Sequence, residues 1–366
     1  MSNISKSKGF SRRHFIKASA TTVAGVALAP AFIGRAMAAE PLKIGTYGGY
    51  FQSSFDKHIY PDFTKSTGIQ VESIAEPTGE AWLVQLQAAA RAGQAPADVS
   101  MMAQVPRLKG AKSKLWAPLD SAAMPNLKNL PDHFVHKYAD GSVSGAGAVS
   151  WYITLVTNTD KFSKAPVSWK SLWDKDNKDK LGLLALVTNS FLLEVTATTW
   201  FGGTAILDTK EGILKVLAKL AEVKPNVRLW YRDEGQFQQA LEVGEIPMGQ
   251  YYHDVTGLAA SEGKPVRSTF PAEGGVLDSG SWCVSRASKR IEDAQVFINY
   301  MCQPEIQSKL SRFVGTAPTV KRELTDLTDD EYAAVASDIT PILPRYDIYS
   351  KHGDWLSQQW SELVAG

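Results

Sequence analysis

The residues of this chain that could do chemistry are mostly aromatic and acidic, and few patterns among them suit catalysis. Past residue 38 the histidines are His58, His133, His136, His253 and His352, and only His133 and His136 share a tight spacing. That HxxH pair flanks Phe134 and Val135 before the turn Asp140-Gly141, and reads as a solvated helix face rather than a metal pair. There is no HExxH, CxxC or CxxCH, and no GxSxG elbow. Gly45-Thr46-Tyr47-Gly48-Gly49 misses GxGxxG because Tyr50 stands where the third glycine belongs. Cys283 and Cys302 match no zinc spacing; they form either one disulfide or two buried thiols. No nucleophile, metal or cofactor constellation emerges. An exported enzyme or a sensor domain would need one.

The leader is more informative. Residues 1–38 hold Lys6, Lys8, Arg12, Arg13, Lys17 and Arg35 and no acid. Ser11-Arg12-Arg13-His14-Phe15-Ile16-Lys17 carries the marks of a twin-arginine export signal. A weakly apolar run from Ala18 to Gly34 follows, and Ala36-Met37-Ala38 offers a small-x-small cleavage site. The run is about 17 residues and contains Pro30, too short and too broken for a retained anchor. Residues 1–38 are therefore expected to be a signal peptide, and the mature protein to be soluble in the periplasm. Without the leader, 33 basic and 38 acidic residues leave a charge of about −5, which excludes a phosphate-neutralising nucleic-acid binder. The 366 residues, 44% hydrophobic and 21% charged, suffice for two lobes with separate cores.

Those lobes show in the pattern of elements. Leu42–Thr46, Ile69–Ile74 and Ala97–Met102 read as strands, separated by helical spacings that stop at Gly68 and Gly93. A second set begins after Pro166, with strands at Leu181–Val187, Val227–Tyr231 and Ile246–Tyr252. Alternation of strand and helix predicts an open α/β sheet in each lobe. Val149, Trp151, Ile153 and Leu155 alternate with Ser150, Tyr152 and Thr154, giving an extended segment between the sets. Ser281–Ser285 is a second extended piece. The expected domains are 39–151 (lobe 1), 152–279 (lobe 2) and 280–366 (return to lobe 1 with the C-terminal helices). A ligand cleft is expected between the lobes, closing by a hinge.

Several segments together carry a resemblance. They are Leu42–Gly49, Pro61-Asp62-Phe63-Thr64-Lys65-Ser66-Thr67-Gly68-Ile69, Val167–Trp173, Leu241–Ile246, Phe270–Gly275, Gly315–Thr319 and Trp355–Trp360. In order and spacing the chain resembles the solute-binding proteins of ABC importers, within the spermidine/putrescine-binding-like group. The resemblance implies a type II-like periplasmic binding fold of two Rossmann-like lobes joined by crossing strands. It also implies a small-molecule ligand, an inner-membrane ABC permease as partner, a monomer, no cofactor and no catalysis.

In polyamine binders carboxylates hold ammonium groups while aromatic rings sandwich the aliphatic chain. On that resemblance Asp254, behind Tyr251-Tyr252-His253, is the expected amine partner; a helix N-cap is its alternative role. Tyr47 and Tyr252 are expected ring contacts, as are Trp151 and Tyr152, of which strand alternation lets only one face the cleft. The family's Trp-x-Asp after Glu273-Gly274 falls on Asp278 and Gly280 here, so Asp278 is expected to substitute from a shifted position. Asn189 and Ser190 stand where acidic residues are usual, and a neutral helix N-terminus suits an anionic group. The expected ligand is therefore amino acid-like or opine-like, with a polyamine second. Adjacent Tyr251 and Tyr252 also resemble the phenolate pair of ferric-iron-binding periplasmic proteins, which is the alternative reading.

Overall fold

The structure, a computed structural model, describes residues 40–77 and 80–365; the leader and its cleavage motif lie outside the described residues. Strands β1 (Leu42–Tyr47), β2 (Val71–Glu76) and β3 (Val99–Ala103) run parallel in the order β2-β1-β3. After the short β4 (Val135–Lys137) comes β5 (Val143–Asn158), sixteen residues long. Strands β6 (Leu181–Leu184), β7 (Val227–Tyr231) and β8 (Met248–Tyr252) form the second parallel group. The short β9 (Val266–Thr269) pairs with β5, and β10 (Val276–Val284) then lies antiparallel to both β3 and β5. The result is one sheet in the order β2-β1-β3-β10-β5-β8-β6-β7.

Length explains how β5 spans both groups. At roughly 3.3 Å per residue, sixteen residues exceed the reach of a single lobe's strand. The hydrophobic core divides along it. Val149 and Tyr152 pack with Leu42, Phe55, Phe63, Trp282 and Phe297, whereas Ile153 and Leu155 pack with Leu181, Leu192, Leu220 and Met248. On β10 the change falls between Val276, in the second core, and Leu277, in the first. The register pairs these same positions, Ile153 with Val276 and Tyr152 with Leu277. One line across two strands thus separates the lobes.

The C-terminal segment does not stay in lobe 1, contrary to the expectation for 280–366. Ile342 bonds through its backbone to Gly275 and Leu277 at the start of β10, a third crossing. The helix Tyr346–Ala365 then packs Ile348, Leu356 and Trp360 into the second core, with the Trp360 indole donating to the Ala185 carbonyl at 2.8 Å. A fully buried carboxylate, Glu194, anchors it by accepting from Arg345 N at 2.8 Å and the Tyr349 hydroxyl at 2.7 Å. Amphipathic spacing says that a helix buries one face, not which core receives it.

One further reading is corrected, and one left open between two alternatives is decided. His133 and His136 are not on one helix face: His133 lies in a short 3-10 turn and His136 on β4. Cys283 and Cys302 are free thiols buried in different clusters, one beside Trp116 and the other beside Phe297. Among the described residues no helix is long and apolar enough to cross a membrane.

In lobe 2 the helix Glu234–Glu242 is pressed onto the sheet by Phe237, which fills the space above two glycines. A Cβ on Gly249 would lie 2.6 Å from the Phe237 ring and 2.2 Å from the Gly182 carbonyl. Gly249→Ala is accordingly expected to destabilise the protein by about 1–3 kcal/mol, measured by urea unfolding. An unchanged midpoint would mean that this contact does not set the helix position.

Candidate functional site

Where the cores meet, β5 and β10 floor a cavity of about 510 Å³. One wall comes from the carboxyl ends of β1, β2 and β3, where open α/β sheets present ligand sites. The opposite wall belongs to lobe 2, and Tyr346, from the third crossing, completes it. Three of its lining residues are carboxylic, Glu76, Glu234 and Asp278, and none is lysine, arginine or histidine.

Each carboxylate is held by its own element. Glu76 ends β2 opposite Tyr47, and its side chain folds over Gly45 to accept from Met101 N at 3.0 Å on β3. A Cβ at Gly45 would stand 2.5 Å from that carboxylate oxygen, so only glycine lets it pass. Burial pushes the Glu76 carboxyl up to about 8, against the opposing pull of the Met101 N–H. Asp278 lies on β10 opposite Trp151 of β5; it accepts from Ser279 N at 2.7 Å and from the Tyr346 hydroxyl. Burial lifts it to about 6, with Tyr346 pulling the other way. Glu234 opens a helix capped by Asp233, whose side chain accepts from Gln236 N at 2.8 Å. Its Oε1 accepts from the Tyr252 hydroxyl at 2.7 Å.

Aromatic rings fill the space between. Tyr47 meets Trp151 edge-on at 6.5 Å, and Phe191 meets Tyr346 edge-on at 6.0 Å. Phe191 sits in the left-handed region (φ 51°, ψ 21°), where it joins the helices Val187–Ser190 and Leu192–Phe201. Such a conformation costs a non-glycine residue about 1–3 kcal/mol, and here it places a ring on the cavity wall.

Of the residues named from the sequence, Tyr47, Trp151, Asn189, Tyr252 and Asp278 line the cavity. Three do not. Tyr152 faces the other side of β5, packing on Phe270 at 5.0 Å within the first core, as alternation requires of one member of the pair. Ser190 is fully buried behind Asn189, its carbonyl taken by the Gln250 amide. The helix it belongs to has four residues, which removes the basis for an anionic site there. Asp254 is in the first turn of the helix His253–Ser261, outside the lining. It does not cap that helix, and its Oδ1 is buried without a hydrogen-bond partner. Because β8 turns into helix at Tyr252, that ring takes the cavity and Asp254 does not.

Glu76, Trp82, Gln104, Glu234 and Tyr346 belong to the site without having been singled out. Glu76 left a usable signal, an acid at the carboxyl end of a parallel strand. The ferric alternative loses its pair, because Tyr252 lines the cavity and Tyr251 does not. The Tyr251 and Tyr252 hydroxyls both donate to Glu234, to its carbonyl at 3.2 Å and its carboxylate at 2.7 Å. Burial first, and the Glu234 charge second, push both phenols up.

The family description "bacterial extracellular solute-binding protein" matches residues 59–336, most of the chain. The chain belongs to this family. The solute-binding protein is 26% identical over 300 residues to a gamma-aminobutyric acid-binding protein of Pseudomonas aeruginosa, covering 80% of this chain and 81% of that one. It is 25% identical over 299 residues to a spermidine/putrescine-binding periplasmic protein of Salmonella typhimurium, covering 81% and 82%. In fold it is similar to an ABC transporter substrate-binding protein from Bradyrhizobium japonicum, with a TM-score of 0.74 at 22% identity over 88% of this chain and 99% of that one. Membership of the ABC-importer solute-binding proteins, in the polyamine-like group, is what the sequence resemblance implied, and it holds. So does the α/β binding-protein fold. Proteins of this kind take up small molecules and work with a membrane permease.

Proposed function

We propose that the protein captures a small amine-bearing solute in the periplasm and passes it, as a monomer and without catalysis, to an inner-membrane ABC permease. The carrying observation is the cavity wall: three carboxylates among aromatic rings, with no basic side chain to neutralise them. An ammonium group would supply the missing charge, and the rings would cover an aliphatic chain. Tyr47, Trp151, Asn189 and Tyr252 would contact the ligand; Asp278, Glu76 and Glu234 would receive its ammonium groups. The names of the relatives, for gamma-aminobutyric acid and for spermidine and putrescine, support an amine. The Tyr47 hydroxyl and the Trp151 indole N–H, both buried without a partner, are neutral donors that could bond a ligand carboxylate, so amino acid-like, opine-like and polyamine ligands all fit this wall.

A thermal-shift screen of protein 39–366 tests this, with mono-, di- and triamines, amino acids, opines and ferric citrate. Amines are expected to raise the melting temperature, since a ligand at 100 times its Kd adds about 2.7 kcal/mol. Di- and triamines should shift it most, and ferric citrate should leave it unchanged. A screen in which no amine shifts melting would end this reading.

A further inference from the structure

From the cavity wall a polar chain runs inward that binding alone does not explain. Gln104, at the start of the helix Gln104–Lys112, is 4% exposed, yet its amide is fully engaged. Its Nε2 donates to the Ser279 carbonyl (3.2 Å), the Ser279 hydroxyl (3.0 Å) and the Ser281 hydroxyl (2.8 Å). Its Oε1 accepts from Arg107 Nε at 2.6 Å, one turn along the same helix. Arg107 is itself buried, and among the described residues no carboxylate is bonded to it. A guanidinium can only donate. The amide oxygen must therefore face Arg107, and the amide nitrogen must face β10. At the far end the Ser281 hydroxyl accepts from Gln104 and also hydrogen-bonds His136 Nε2 at 2.8 Å. Burial lowers the affinity of His136 for a second proton.

The chain grips β10 at a singular place. The β5–β10 ladder slips there, pairing Gly280 with Val149 and then Ser281 with Gly147, so that Ala148 is skipped. A bulge loosens a strand locally, and a side-chain brace can restore its direction. Ser279 is the joint. Its carbonyl and hydroxyl accept from Gln104, while its N–H donates to the Asp278 carboxylate.

We propose that Gln104 is a positioning residue of the ligand site: it clamps the crossing strand at Ser279 and Ser281 and so fixes how Asp278 presents its carboxylate. The amine reading enters only at the last step, where Asp278 meets an ammonium group.

The test uses Gln104→Met, close in shape but unable to donate, alone and combined with Asp278→Asn. The probe is 1,4-diaminobutane, titrated by calorimetry. Gln104→Met is expected to weaken binding about tenfold in the native background and not at all beside Asp278→Asn, because the two act through one carboxylate. Losses that simply multiply would overturn the proposal. A ligand-free measurement runs beside it: the carbon-13 titration of the Asp278 carboxyl should fall by about one pH unit in Gln104→Met as water enters. An unchanged titration would overturn it too. If the native protein binds no amine, the functional reading fails while this titration still decides the brace. If Gln104→Met does not fold, Ser279→Ala with Ser281→Ala removes both hydroxyl acceptors, and a smaller shift in the same direction is expected.

Discussion

Replacing Asp278 by asparagine is expected to weaken the tightest amine by about thirtyfold or more, with the empty protein as stable as before or more so. Asp278 is half-buried between the lobes beside Tyr346, and closure around a ligand would dry the pair further. Truncating one partner of a desolvated charge pair costs about 2–5 kcal/mol of binding, at tenfold per 1.4 kcal/mol. Asparagine keeps the shape, and its amide oxygen can still accept from Tyr346 and Ser279 N. Only the charge is lost, and burial disfavours that charge in the empty site, so apo stability should not fall. Asp254→Asn is the internal control. That carboxylate also lacks a cation but lies outside the cavity, so its loss should leave affinity unchanged. Calorimetric titration and apo melting curves of both variants check this. Equal affinities for Asp278→Asn and the native protein would remove Asp278 from the site.

Much of the frame was legible because periodicity is a local property. The strand-helix alternation of both lobes and the crossing near Trp151 follow from spacing alone, and the alternation of Val149, Trp151 and Ile153 sorted one ring into the cavity. Element ends were less legible. The second strand was expected to stop at Ile74, whereas β2 continues to Glu76, and those two residues hold the site's lobe-1 carboxylate. The return strand was expected from Ser281 but begins at Val276, five residues earlier, so that Asp278 is on it. Ladder pairing with β5, a contact more than a hundred residues away, sets that start.

Asp254 was misplaced for a local reason, and Tyr346 and Gln104 were missed for a long-range one. Asp254 was assigned on the resemblance, from its place after a strand, but a chain leaving a strand rotates by 100° per residue in a helix and by 180° if it stays extended. The helix begins at His253, and the rotation carries Asp254 off the cavity. Tyr346 and Gln104 could not be read at all. Tyr346 reaches the cavity from the start of the last helix, which a buried Glu194 holds, and Gln104 is tied to β10. Each depends on contacts between residues over a hundred positions apart.

Affinity for an amine is also expected to climb about a hundredfold from pH 6 to pH 8 and then flatten. The titrating groups are Glu76 and Asp278, lifted by burial to about 8 and about 6. Around Glu76 stand the Tyr47 and Tyr60 phenols, and around Asp278 those of Tyr346, Tyr47 and Tyr252; burial keeps all of them neutral in this range. An alkylammonium, with a pKa near 10, stays charged throughout. It binds the ionised carboxylates, so any proton on them must leave. Above about 8 none need leave; between about 6 and 8 one leaves, at about tenfold per pH unit; below about 6 two leave. Titrations in two buffers of different ionisation enthalpy should show close to one proton released at pH 7. Glu76→Gln should flatten the curve above pH 6 and leave the dependence below it. Stability of the empty protein runs the opposite way. Both carboxyls have folded values above their unfolded ones, so their contribution is full below about 4 and is lost as pH rises through about 6 and about 8. Its melting temperature should therefore fall across this window, and the amine should restore it. An affinity that stays level from pH 6 to 8, with no proton released, would show that Glu76 does not face the ammonium group.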